Sequence, residues 1–61
     1  MASNIEIRER QKFHLGVLLN LKKLNGDIVV KGLQQAIENA VMVMEQEDVA
    51  LVEKIVGVAA L

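Results

Sequence analysis

The sequence predicts a small all-α protein, a helical hairpin plus a C-terminal helix, forming one domain over residues 1–61 that completes its core as a symmetric homo-oligomer. Three observations predict it. Apolar residues make up 52% of the chain although it holds one Phe and no Tyr, Trp or Pro, so the apolar content is aliphatic, and it recurs at helical spacing. A chain of 61 residues buries only ~60% of its unfolded surface and ordinarily needs a disulfide, a metal or a partner chain, and this one has no Cys. Finally, turn and cap residues interrupt the apolar pattern at two places, Asn25-Gly26-Asp27 and Glu45-Gln46-Glu47-Asp48.

The first helix, over about residues 4–24, opens on Ser3-Asn4-Ile5-Glu6. This is a capping box, in which the Ser3 hydroxyl accepts the Glu6 N–H and the Glu6 carboxylate reaches back to the Ser3 N–H. At 100° per residue, Phe13, Val17, Leu21 and Leu24 fall on one stripe with Leu18 at its margin, and this is the expected core face. His14 lies at the edge of that stripe and reads as a partly buried structural histidine. Leu15 and Leu19 lie on the far side, where an isolated chain would leave them in water; they are expected at an oligomer interface. Extended backwards, the stripe meets Arg10 and Glu6 rather than Ile5 or Ile7. The first two turns therefore face elsewhere, which makes Ile5, Ile7, Arg8, Arg10 and Lys12 the candidate partner-binding residues.

Asn25 or Gly26 supplies the left-handed residue that ends this helix, and Asp27 is placed to cap the next. Asn-Gly followed by Ile28-Val29-Val30 is also a β-hairpin signal, but the Leu-rich segment upstream does not alternate. A second helix is expected over about residues 28–45. Val29, Val30, Leu33, Ala36, Ile37, Ala40, Val41, Val43 and Met44 share one wide side, and Ile28 and Met42 fall on the polar side as further interface candidates.

A continuous helix onward would carry Glu47 and Asp48 onto the side just made apolar. A break is expected instead, with Asp48 capping a third helix over about residues 49–60. Leu51, Val52, Ile55, Val56, Val58 and Ala59 form its expected buried side, and the apolar terminus through Val58 and Leu61 is expected to dock at the oligomer interface.

The net charge is -1, with no global basic field for nucleic acid, yet residues 1–32 carry +3 and residues 33–61 carry -4. The two halves are expected to lie side by side; a basic N-terminal segment docking on an acidic partner is the alternative. No run reaches the ~20 apolar residues of a membrane span, and the polar start lacks the form of a secretory signal, so the cytoplasm is the expected location.

The chain offers one Ser, already placed as a cap, one His and no Cys or Thr, so nucleophilic catalysis has no residues to use. The four glycines, Gly16, Gly26, Gly32 and Gly57, stand apart and make no phosphate loop. His14 with Glu45, Glu47 and Asp48 has no metal-ligand spacing, and no cofactor is expected. The expectation is a non-enzymatic interaction protein, an oligomeric helical adaptor or inhibitor that binds a protein partner. Two alternatives remain: a small molecule held at a subunit interface beside Met42 and Met44, or a DNA- or RNA-binding regulator using the basic first helix with Arg8, Arg10, Lys12, Lys22 and Lys23.

Overall fold

The computed structural model describes the backbone of residues 3–26 and 28–59, with side chains as far as residue 57. Among these residues the chain forms three helices, α1 (Asn4–Asn25), α2 (Lys31–Met42) and α3 (Gln46–Ala59), and no strand. The all-α expectation holds.

Helix α1 starts where its cap chemistry places it. Ser3 is extended and its hydroxyl accepts the Glu6 N–H at 3.1 Å, while its carbonyl accepts from Ile7 at 3.0 Å. The helix ends at Gly26, whose φ of 60° and ψ of -123° suit a residue without a Cβ, and whose N–H donates to the Lys23 carbonyl at 3.2 Å. At 22 residues α1 is ~33 Å long and forms the spine of the molecule.

Helix α2 begins at Lys31, three residues later than the sequence suggests, because Ile28-Val29-Val30 stays out of the helix. Val30 is extended, with φ -115° and ψ 105°, a conformation that suits its β-branched side chain. Its carbonyl accepts the first free amides, from Leu33 at 3.1 Å and Gln34 at 3.2 Å. A break between the second and third helices is present but comes earlier than expected: Val43-Met44-Glu45 leave the helix, and Gln46-Glu47-Asp48 open α3 instead of preceding it. Asp48, however, is not the cap of α3. It is the third residue of the helix, and its own N–H donates to the Glu45 carbonyl at 3.0 Å. The expected cap at Asp27 lies outside the described residues.

Both shorter helices pack against α1, and most of the tertiary packing runs through it. The core is one cluster: Leu15 and Leu18 from α1, Ile37 and Ala40 from α2, and Val49, Val52 and Val56 from α3, with Leu19, Leu33, Ala36 and Met44 packed around it. α1 and α3 approach closely where Gly16 has no side chain; a Cβ there would meet a Val52 methyl at 3.8 Å.

This packing inverts the expected orientation of α1. Leu15 is 0% exposed and Leu18 is buried, whereas Phe13 is 76% and Leu24 84% exposed, with Val17 and Leu21 also on the surface. Leu15 therefore packs inside the chain and not between chains, and Leu19 is half-buried beside it. His14 turns outward with the Phe13 stripe. Elsewhere the expected faces are half realised. Leu33, Ala36, Ile37, Ala40 and Met44 turn inward as read, but Val29, Val30, Val41 and Val43 are exposed. In α3, Val52 and Val56 are buried together with Val49, but Leu51 and Ile55 are not.

Candidate interaction surface

Polar side chains on α1 explain which of its two apolar faces turned inward. Arg8, Gln11, Leu15, Leu18 and Leu19 lie within one helical face at 100° per residue, and the polar members reach across to the neighbouring helices. The Arg8 guanidinium forks onto Asp48, Nε donating to Oδ2 and Nη2 to Oδ1, each at 2.9 Å, while Nη2 also donates to Glu47 Oε1 at 3.2 Å. Gln11 donates through Nε2 to the Val43 carbonyl at 3.3 Å, where α2 ends. Lys23 donates through Nζ to the Val56 carbonyl, one of the last carbonyls of α3, where the helix dipole favours a cation. Three latches thus tie α1 to the start of α3, the end of α2 and the end of α3.

The Arg8–Asp48 pair joins the basic N-terminal half to the acidic C-terminal half within one chain, as the charge distribution anticipates. The hydrogen bond from Arg8 holds the Asp48 carboxyl below the usual carboxylate range; its burial opposes this, and the charges of Arg8 and Lys12 assist. The Arg8 guanidinium is in turn held more firmly protonated by the same hydrogen bond. Asp48 is only 6% exposed, so the acidic segment is not simply a solvated turn.

These contacts redistribute the candidate partner-binding residues. Arg8 has an internal role, contrary to the expectation that it has none. Lys12 is half-buried and pairs with Glu9 at 2.8 Å. Ile5, Ile7 and Arg10 remain exposed on the first turns of α1. Of the interface candidates, Ile28 is exposed and Met42 is 81% exposed, so both stay available on the surface. The Val58 side chain and Leu61 lie outside the described residues.

What sequence reasoning missed is the outward face itself. With the latches holding Leu15 inward, Phe13, Val17, Leu21 and Leu24 form a continuous apolar stripe along the opposite side of α1. Beside it, Glu9, Phe13, Gly16, Asn20, Leu51 and Ile55 line an open groove between α1 and α3. The spacing of the stripe was legible in the sequence; the direction in which it points was not.

The residues named for other chemistries are not brought together. Among the described residues there is no group of three or more His, Cys, Asp or Glu placed to hold a metal ion, and no helix long and apolar enough to cross a membrane. Met42 and Met44, named for a ligand site, lie where α2 ends, and Gln11 brings that end against the N-terminal half of α1. A separate open depression between the ends of α1 and α3 is lined by Leu19, Lys22, Lys23, Glu53, Val56 and Gly57. Comparison with protein-family models, with curated proteins and with solved structures gives no match.

Proposed function

We propose that the chain is a small non-enzymatic interaction protein, a helical unit that self-associates and binds a protein partner. One observation carries this reading: the apolar surface is too large for three short helices to cover. Among the described residues fourteen large hydrophobic side chains are exposed. Four of them, Phe13, Val17, Leu21 and Leu24, share one face of α1, and an apolar patch of this kind marks an interface or an aggregation hazard. The closed core and the satisfied buried polar side chains argue for the former, because each chain folds around its own cluster and still presents a defined apolar stripe.

A partner other than a second copy would meet the first turns of α1, where Ile7 and Arg10 project without a partner in the core. The test measures mass by light scattering across protein concentration, then captures binding proteins with wild type and with an Ile7→Ser, Arg10→Ala double variant. The expected result is a mass above 6.7 kDa that rises with concentration, and a captured protein that the double variant loses without losing helicity. A constant monomer mass together with identical capture by both forms would overturn the reading.

A further inference from the structure

Resting on the self-association reading above, we infer that a second copy of this chain covers the outer face of α1 and its groove with α3, in a two-fold pair where Phe13 of each copy seats over Gly16 of the other. The area suffices. The exposed parts of Ile5, Phe13, Val17, Leu24, Leu51 and Ile55 amount to roughly 700 Å² per copy, so two such faces bury up to about 1,400 Å², within the range of specific interfaces.

The shape is self-complementary, as a two-fold interface requires. Phe13 is the protruding group and Gly16, one turn along, is the gap in the floor of the groove. An axis perpendicular to α1 and midway between these two residues exchanges them and runs the paired helices antiparallel. The same axis sets Leu24 opposite Ile5, both exposed and apolar, and Val17 opposite the aliphatic stem of Lys12. It also sets Asn20 opposite Glu9, an amide against a carboxylate. No like charges oppose each other in this register, and Lys12 is already neutralised by Glu9 within its own chain.

The test places a charge on this surface and, as a control, at an equally exposed apolar site elsewhere. Phe13→Glu and Ile55→Lys should each raise the dimer dissociation constant at least roughly 30-fold, as expected for loss of an interface anchor, with helicity unchanged. Met42→Glu, on α2, should leave it unchanged. If Phe13→Glu and Ile55→Lys remain as dimeric as wild type, whatever Met42→Glu does, this surface is wrong and self-association stands. A wild-type chain that stays monomeric to millimolar concentration overturns both. Should one of the two charged variants lose its helicity, the other decides, since both sites lie on the surface of the folded chain.

Discussion

Replacing Leu15 by Ala tests the orientation of α1, because among the described residues Leu15 is the one large side chain wholly enclosed by the three helices. Leu-to-Ala changes in cores cost about 2–5 kcal/mol, the upper part of the range applying where the surroundings cannot collapse. Leu15 sits between α2 and α3 side chains on the inner side of the spine, so closing the cavity would require both shorter helices to move. A domain of this size rarely has more than ~3–5 kcal/mol in total, so Leu15→Ala should be largely unfolded at 25 °C. Leu24→Ala, at a side chain 84% exposed, should change stability by no more than about 0.5 kcal/mol. The assay is urea unfolding followed by far-UV circular dichroism, at protein concentrations low enough to keep the chain monomeric. A wild-type midpoint for Leu15→Ala, or a loss at Leu24→Ala equal to that at Leu15→Ala, would refute the inward assignment.

Three further outcomes follow from particular groups. Asp48 titrates below its ordinary value in the folded chain, so the stability it contributes is complete above the unfolded carboxylate range near ~4 and is lost as pH falls through the lower folded value. Thermal melts of wild type should therefore drop on acidification below pH ~4, while Asp48→Asn, already less stable at neutral pH, should lack that part of the pH dependence. Arg8→Ala should lower the melting temperature at neutral pH, because it leaves a buried carboxylate without its fork of donors; an unchanged melt would remove the latch from the account. Gly26→Ala should destabilise by about 1–3 kcal/mol because of its positive φ, whereas Gly32→Ala, helical with open space at its Cβ position, should stabilise by up to ~1 kcal/mol; equal effects in calorimetry would contradict both.

Much of the fold was legible in local chemistry. Ser3 and Gly26 fix the ends of α1 because a hydroxyl acceptor and a missing Cβ act within a few residues of chain. A break before α3 was legible in the register in which Glu47 and Asp48 would fall, but it comes earlier, at Val43-Met44-Glu45, and both acids lie inside α3. The orientation of α1 was not legible from periodicity, because the helix carries two apolar stripes on opposite sides: Phe13, Val17, Leu21 and Leu24 on one, and Leu15, Leu18 and Leu19 on the other. Hydrophobic spacing weighs both alike. The signal that separates them is polar: Arg8 and Gln11 lie on the Leu15 side, and the excess acid of the C-terminal half lies where Arg8 can reach it. Arg8 paired with Asp48, in place of Arg8 on a partner and Asp48 as a helix cap, turns the helix the right way. The late start of α2 escaped for a different reason. Nothing in the periodicity distinguishes Ile28-Val29-Val30 in a first helical turn from the same residues extended, and the extended form wins without a side-chain cap.

Thiol labelling of single-cysteine variants tests the central claim most directly, since the chain has no cysteine of its own to interfere. The account predicts that Leu15→Cys stays protected at every concentration at which the variant is folded. It also predicts that Leu24→Cys labels nearly as fast as an unstructured peptide at low concentration and slows as concentration rises and a second copy covers it. Fast labelling of Leu15→Cys in the folded chain, with Leu24→Cys protected at all concentrations, would contradict the account.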